Sequence, residues 1–249
     1  SEMCIRDSLK MVHHLPLGIM ALEESPSRNA RRYLGIHLNK PLHLPEAHAA
    51  VPEADLKAAF DAVMGTDWWI YDHFGSSDID TLLAKIRYMA VGLGCKILVL
   101  DHISIVVSGL DESAGESERK VIDKLMTKLR QLVEETGVML LAVVHLKRPD
   151  KGKSYNEGRQ VSLTDMRGSG GLEQMSDAVI SLERNQQGDE PDTALVRVLK
   201  NRPIGDCGEA GYVRYAPETG RLLPCDGEEY GFGKEQEQPD ETQPKEKDF

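Results

Sequence analysis

Residues Ile97–Ser104 have the sequence ILVLDHIS, in which four aliphatic residues lead directly into Asp101 and His102. A run that is apolar at every position is typical of a strand buried on both faces of a parallel sheet. A buried carboxylate is costly unless something compensates its charge. Since α/β sheets bind ligands outside the carboxyl ends of their strands, Asp101 is a candidate partner for Mg²⁺. The alternative is that Asp101 only caps the turn that follows.

Two more segments repeat the continuous apolar pattern, Leu17–Leu22 before this strand and Val138–Val144 after it. Apolar residues at helical spacing separate the strands and predict amphipathic helices. Antiparallel strands are predicted near the carboxyl end, with a hairpin turn at Pro217–Gly220. The sequence therefore predicts an α/β fold: a mostly parallel sheet flanked by helices, with added C-terminal antiparallel strands. The other predicted elements are helices at 27–38, 52–64, 79–93 and from about 113 to 136, and a strand at 68–72.

Polar residues follow the other two apolar strands as well. Glu23 comes just after the first, and His145 just after the third. A carboxylate there could act as a general base that orients water. Singly, Glu23 could be an exposed surface residue and His145 a hydrogen-bonded structural one. Together with Asp101, the two residues indicate a nucleotide-type site at the sheet edge.

The charge of the chain is segregated along the sequence. The formal net charge is −11, and the segment 226–249 holds nine acidic residues against three lysines. Residues 147–159 reverse that balance, with five basic residues against two acidic ones. The local field, and not the total charge, meets a bound polyanion. No apolar run has the roughly 20 residues that a membrane span needs. The four cysteines lie far apart, which favours free thiols over a zinc site or a disulfide framework.

Several motifs together resemble the RecA-like helicase domain of the bifunctional primase-helicases of podovirus-type bacteriophages. The same family includes the mitochondrial replicative helicase and, more distantly, DnaB. The resemblance runs from about Leu17 to Pro224, is dense after Thr81 and is thin between Pro26 and Asp67. The motifs are ILVLDHISIVVSG, ERKVIDKLMTKLRQL, HLKRPDKGK, SLTDMRGSGGLEQMSD, LERNQQGD and GYVRYAPETG.

The resemblance implies catalytic roles for five residues. Glu23 corresponds to the base that polarises the attacking water, and Asp101 to the Walker B aspartate that supports Mg²⁺. His145 corresponds to the γ-phosphate sensor, and Gln174 to the residue that couples nucleotide state to the DNA loops. Arg202 corresponds to an arginine finger that reaches the nucleotide of a neighbouring subunit, which makes hydrolysis depend on oligomerisation.

The resemblance also implies the substrate contacts. Lys200 lies beside the finger, and Arg184 and Tyr215 sandwich the base of the nucleotide (dTTP or ATP), since both present a flat face to a base. The loop residues that contact DNA phosphates are Lys147, Lys151, Lys153 and Arg167. The implied activity is 5′-to-3′ movement on single-stranded DNA with unwinding of the duplex. It is carried out by a hexameric ring in the cytoplasm of the infected bacterium.

The expected domain organisation has three parts. Residues 1–8 are expected to be disordered or foreign to the natural protein, and 9–224 to form the helicase domain. Residues 225–249 are expected to form a disordered acidic tail. In the phage family such a tail, ending here in Phe249, docks on the replicative DNA polymerase; a tail that only aids solubility is the alternative.

One family motif is absent from the 249 residues: no Gly-x-x-x-x-Gly-Lys-Ser/Thr loop occurs. Lys151–Ser154 contains Gly-Lys-Ser but has Lys147 where the first glycine would fall. We therefore expect the phosphate-binding loop to lie upstream in a longer parent, and the 249 residues alone to be inactive in hydrolysis. The alternatives are a non-catalytic module that binds DNA or docks on the polymerase, and another RecA- or DnaB-type ATPase.

Overall fold

A computed structural model describes residues 15–65, 67–72, 79–104, 118–149, 151–167 and 170–226. A π-helical turn spans Tyr88–Gly92, and a 3-10 turn spans Leu163–Asp165. The helices and strands are, in chain order, β1 (Leu17–Ala21), α1 (Pro26–Leu38), α2 (Pro45–Ala49), α3 (Glu53–Met64), β2 (Trp68–Ile70), α4 (Ile79–Arg87), β3 (Ile97–Asp101), α5 (Glu118–Thr136), β4 (Met139–Ala142), α6 (Gly170–Met175), β5 (Ala178–Arg184), β6 (Thr193–Asn201), β7 (Gly208–Ala216) and β8 (Arg221–Cys225).

The first four strands form a parallel sheet in the order β2-β1-β3-β4. Leu17 of β1 pairs with Ile97 of β3, and the register runs on to Ala21 opposite Asp101. Strand β4 continues in register on the other side of β3. Because all pairs are parallel, the carboxyl ends of β1, β3 and β4 meet at one edge of the sheet.

The apolar core lies on both faces of this sheet. Leu98 and Leu100 pack on one face among residues of α4 and α5. Ile97 and Val99 pack on the opposite face with Tyr33 of α1 and other residues of α1 and α3. Successive side chains of a strand point to opposite faces, so helices on both faces require an apolar residue at every position. The prediction of a parallel α/β sheet from ILVLD is confirmed.

Helix α5 packs through the stripe that its periodicity predicts. Ile122, Leu125, Leu129 and Leu132 are all buried. On the outside, Lys128 bonds Asp80 of α4 at 2.5 Å, an exposed ion pair of the kind that adds little stability. Burial of the apolar stripe is therefore what fixes α5 against the sheet.

Strands β5 to β8 form an antiparallel sheet in chain order. The predicted turn between β7 and β8 is confirmed at residues 217–220. Val179 of β5 packs against the core cluster that contains Leu98. This contact joins the second sheet to the core of the first.

Two details differ from the sequence-based expectation. The link between α1 and α3 contains the short helix α2, which begins at a proline. The expectation that β4 is buried on both faces is wrong: Met139 is 53% exposed and Ala142 is exposed too. Within the described structure β4 is an edge strand, because only β3 pairs with it.

Some expectations fall outside the described residues. These are the status of residues 1–8, the start of the helix predicted from about 113, and nearly all of the predicted tail. Among the residues that are described, no helix has the length and apolar character needed to cross a bilayer.

Candidate functional site: the strand ends and the cationic cleft

Glu23 and His102 meet at the carboxyl edge of the parallel sheet. Glu23 lies two residues beyond β1, and His102 follows the last residue of β3. The His102 Nε2 and the Glu23 Oε1 are 2.7 Å apart. An ionised carboxylate can only accept, so the Nε2–H of His102 donates. The His102 side chain is 5% exposed and that of Glu23 is 51% exposed, so a buried imidazole holds an accessible carboxylate.

His145 stacks against the same imidazole. The ring centroids of His102 and His145 are 3.8 Å apart, with 34° between the ring planes. The backbone sets this approach, because Val143 donates to the Leu100 carbonyl and Ile103 donates to the Val143 carbonyl. We call Glu23, Asp101, His102 and His145 the strand-end cluster.

Asp101 is the last residue of β3 and is half-buried at the same edge. Its backbone carbonyl accepts a hydrogen bond from the Leu22 N–H at 2.8 Å, which ties the chain just before Glu23 to the end of β3. Carboxylate oxygens are the ligands that Mg²⁺ prefers. Asp101 and Glu23 are therefore the members of the cluster that fit Mg²⁺, whereas the two imidazoles do not.

An open cleft of about 750 Å³ adjoins His145. Among the described residues that line it, none is acidic and three are permanently cationic. We call it the cationic cleft; its lining consists of Val144, His145, Leu146, Lys147, Arg148 and Arg167. A concave surface with this charge suits a phosphate-bearing ligand.

Backbone hydrogen bonds join the two loops that form the cleft. The Arg167 N–H donates to the His145 carbonyl at 2.7 Å, and the Lys147 N–H donates to the Asp165 carbonyl at 2.7 Å. Between them, Leu146 and Met166 form an antiparallel bridge. The two segments predicted to bind DNA therefore begin as a short antiparallel pairing of residues 145–147 with residues 165–167, shortly after β4. We call this pairing the clamp.

The basic loop is folded back on this clamp. Lys147 donates its Nζ to the Thr164 carbonyl at 2.8 Å, and Arg159 donates to the Lys151 carbonyl at 3.2 Å. The side chains of Lys151 and Lys153 are exposed. The Gly-Lys-Ser of this segment lies in an irregular loop and not between a strand and a helix.

Asp165 fixes the base of the loop. Burial acts to raise the pKa of its carboxyl, but hydrogen bonds from the backbone and hydroxyl of Ser162 and from Tyr155 outweigh burial and lower that pKa. Burial and the neighbouring Asp165 in turn raise the pKa of the Tyr155 hydroxyl. Asp165 is therefore held in its charged form beneath the loop.

Arg202 and Lys200 lie together at the end of α6. Arg202 donates to the Asp177 carboxylate at 3.1 Å and to the Gln174 carbonyl. Lys200 donates to the Glu173 carbonyl. The structure thus brings together the predicted finger, its neighbouring lysine and the backbone of the predicted coupling residue. We call Arg202 and Asp177 the arginine latch.

Arg184 and Tyr215 meet around Asp192. Arg184 is paired with the Asp192 carboxylate at 3.2 Å. The Tyr215 N–H donates to the Asp192 carbonyl at 2.9 Å. The two residues come from β5 and β7, with β6 between them. Their convergence is consistent with the predicted base sandwich, which stays a prediction.

The structure adds four residues that the sequence-based site did not include. His102 was visible in the sequence as the residue directly after Asp101, but only the fold shows its contact with Glu23. Arg148 was visible as a member of the basic run. No sequence signal marked Asp177 or Asp192, because a partner for a cation can lie at any separation along the chain. The described contacts do not link the arginine latch directly to the strand-end cluster.

Comparison with known proteins gives consistent matches. The profile of the DnaB-like helicase C-terminal domain matches residues 3–220. The DNA helicase/primase of Enterobacteria phage T3 is 48% identical over 213 residues, which cover 84% of this chain and 37% of that protein. The replicative DNA helicase DnaB of Leifsonia xyli subsp. xyli is 25% identical over 173 residues, which cover 69% of this chain and 36% of that protein. The chain thus spans little more than a third of the length of these relatives.

A solved structure supports the fold. A DnaB-like replicative helicase, whose structure was described together with its interactions with primase, superposes with a TM-score of 0.70. The two sequences are 19% identical, and the superposition covers 86% of this chain and 53% of that one. The RecA-like ATPase fold expected from the sequence is confirmed, and the sequence matches confirm the resemblance to phage helicase-primases.

Proposed function

The chain belongs to the DnaB-like helicase C-terminal domain family, and from this premise we propose that it is the motor portion of a phage replicative primase-helicase. In this role it couples NTP hydrolysis to 5′-to-3′ movement along single-stranded DNA. One observation carries the proposal: the strand-end cluster and the cationic cleft share His145, and the Arg167 N–H donates to the carbonyl of that residue. A hydrolysis site and a DNA surface are therefore joined by backbone.

Glu23 acts as the general base in the proposed reaction. Its accessible carboxylate accepts a proton from, or orients, the attacking water. The buried His102 holds the carboxylate through its Nε2–H, so that fewer rotamers compete with the productive one. His145, stacked on His102, senses the γ-phosphate. Mg²⁺, which Asp101 would support, supplies charge neutralisation at the phosphates when bound.

Arg202 acts on a nucleotide held by a neighbouring subunit of a hexameric ring. In the single chain its guanidinium is engaged by Asp177 and Gln174, and it is exposed. A surface ion pair of this kind is weak, so a phosphate can replace the carboxylate as its partner. Lys200 assists the finger, and Gln174 reports nucleotide state to the DNA loops. Arg184 and Tyr215 hold the base of dTTP or ATP.

DNA lies against the basic loop. Lys147, Lys151, Lys153 and Arg167 contact phosphates, with Arg148 as a further contact in the cleft. In a ring the loops of several subunits line one channel, which explains how an acidic protein binds a polyanion.

The remaining assignments belong to the same proposal. Residues 9–224 form the helicase domain, and the acidic tail 225–249 docks on the replicative polymerase through Phe249. The protein works in the cytoplasm of the infected host. The 249 residues alone do not hydrolyse NTP, because they contain no Walker A loop to hold the β- and γ-phosphates.

DNA binding is tested by titrating the 249-residue chain against a labelled single-stranded oligonucleotide at several salt concentrations. A Lys151→Ala, Lys153→Ala double variant is expected to bind more weakly. The slope of log K against log salt should fall by roughly 0.7 for each phosphate that the variant no longer neutralises. Lys57→Ala, which removes an exposed lysine paired with Asp61 on α3, is the matched control. An unchanged slope in the double variant contradicts the placement of DNA on this loop.

Catalysis is tested in a longer polypeptide in which these residues are joined to a Walker A loop. Glu23→Gln is expected to lower DNA-stimulated hydrolysis of dTTP or ATP by roughly 10²–10⁴-fold, the usual contribution of a general base. Glu24→Gln is the control, since Glu24 is paired with Arg32. An equal drop in rate in the two variants would contradict the assignment of Glu23. DNA-stimulated hydrolysis by the 249 residues alone would overturn the proposal that they are inactive.

A further inference from the structure

We propose that Glu23, His102 and His145 form a binding site for a divalent transition-metal ion of the zinc class. Such an ion is distinct from the Mg²⁺ that accompanies a nucleotide. The three side chains come from the carboxyl ends of β1, β3 and β4. One ligand atom from each lies within 4.8 Å of the other two. The site is a property of the folded chain and does not depend on the proposed helicase function.

The spacing of the ligand atoms is close to that of a bound metal. Zinc bonds of about 2.0–2.1 Å in a tetrahedron place neighbouring ligand atoms roughly 3.3 Å apart. The His102 Nε2 and the Glu23 Oε1, at 2.7 Å, need to separate slightly. The His145 ring lies face to face with the His102 ring, with 34° between the planes, so it needs to turn until one nitrogen points at the ion. Its ligand atom then needs to approach by no more than about 1.5 Å. Because Glu23 and His145 are exposed, their side chains can make these adjustments without repacking the core.

The ligand types select for zinc over magnesium. Two imidazoles and one carboxylate form one of the ligand sets of catalytic zinc sites, in which water takes the fourth position. Imidazole also suits copper and nickel, whereas magnesium requires oxygen ligands in octahedral geometry. The exposure of two of the three ligands leaves the fourth position open to water. Millimolar Mg²⁺ is therefore expected to compete poorly for this site.

His102 supplies the fixed point of the site. Its side chain is 5% exposed, and among the described residues its Nδ1 has no hydrogen-bond partner. The hydrogen-bonding capacity of this buried ring is only half used, so Nδ1 can carry the ring proton while Nε2, which faces Glu23, binds the metal. Metal binding displaces the proton shared with Glu23, so affinity falls as pH falls.

The test is equilibrium dialysis of the metal-free 249-residue chain against Zn²⁺ in buffer that contains millimolar Mg²⁺. Wild type is expected to hold one more zinc ion per chain than Glu23→Gln or His145→Ala. Removing a ligand should weaken binding by more than the roughly 10–100-fold caused by removing a hydrogen-bond partner of a ligand. Zinc held elsewhere, for example by the exposed Cys207, is common to all variants and cancels in the comparison.

The controls separate a metal site from a general change in the chain. His43→Ala removes an exposed histidine between α1 and α2, and it should keep the wild-type zinc content. Co²⁺ provides a second readout, because its visible spectrum should change in Glu23→Gln and His145→Ala but not in His43→Ala. Both site variants replace exposed side chains and should fold, which circular dichroism checks. Equal zinc content in wild type, Glu23→Gln and His145→Ala would overturn the proposal.

Discussion

The strand-end cluster and the arginine latch hold charged groups in opposite ways. Glu23 is bonded to an imidazole that is itself buried at the end of a core strand. Arg202 is paired with Asp177, and each of these side chains is 48% exposed. One contact is anchored in the core, and the other lies in water, where an ion pair contributes little. In the proposed function, the contact anchored in the core gives the base Glu23 a fixed position, whereas the exposed ion pair allows Arg202 to be released toward another subunit.

The largest expected effect is the loss of the core below the strand-end cluster. Leu100→Ala, at a residue with no exposure, should lower the free energy of unfolding by about 2–5 kcal/mol. Leu223→Ala in β8, where the side chain is 43% exposed, should change it by less than about 0.5 kcal/mol. Urea unfolding followed by circular dichroism measures both. Similar losses of unfolding free energy in Leu100→Ala and Leu223→Ala would contradict the difference expected between the buried core below the strand-end cluster and the exposed strand β8.

The next effect concerns the buried imidazole. His102→Ala removes the hydrogen bond to Glu23 and should lower the free energy of unfolding by roughly 1.5 kcal/mol. This value lies at the boundary between the usual contribution of a hydrogen bond between neutral groups and that of a hydrogen bond to a charged group. Glu23→Gln keeps a side-chain acceptor for the Nε2–H and should cost less. The same unfolding measurement applies. If His102→Ala were no more costly than Glu23→Gln, the imidazole would not anchor the cluster.

A pH-dependent effect is expected at the base of the basic loop. The pKa of Asp165 is lowered in the fold, so the stabilisation that its ionised carboxylate contributes is fully present above the pKa that this group has in the unfolded chain. It is lost as pH falls through the folded value. Asp165→Asn should therefore be less stable than wild type by about 1 kcal/mol at pH 7, and the gap should close in acid. Thermal unfolding from pH 7 down to pH 3 checks this, and a gap that widens in acid would show that the sign is wrong.

The smallest effect on stability is expected at the latch. Arg202→Ala should change the free energy of unfolding by about 0–1 kcal/mol, as for other exposed ion pairs. In an assembled ring that hydrolyses NTP, the same variant should lose roughly 10³–10⁵-fold in turnover. Asp177→Asn removes the carboxylate partner of Arg202 but keeps the guanidinium and its bond to the Gln174 carbonyl, and it serves as the matched variant. A stability loss for Arg202→Ala equal to that for His102→Ala would mean that the latch is structural.

The fold was largely predictable because a strand that is buried on both faces has an apolar residue at nearly every position. Ile97–Asp101 is apolar until its last residue, and the structure buries alternate residues of it on opposite faces. The same pattern in Val138–Val144 correctly predicted a strand but not its exposure. The sequence shows which residues a strand contains, whereas the burial of that strand depends on which helices and strands pack beside it.

The sequence predicted which residues lie at the candidate site, but it did not predict which of their side chains are in contact. Glu23, Asp101 and His145 were identified because strand ends of a parallel sheet converge. The partner of Glu23 proved to be His102, which is 79 residues away along the chain. The latch partners Arg202 and Asp177 are 25 residues apart. Such pairings follow from sheet order and register, which a single sequence does not state.

The clamp between His145 and Arg167 is made of backbone atoms. Substitution of either side chain leaves the N–H and carbonyl in place, unless proline removes the donor. The side chains that are proposed to contact DNA can therefore be substituted while the backbone connection to the strand-end cluster is retained. A change in the proposed DNA contacts and a loss of this backbone connection are therefore separable effects of mutation.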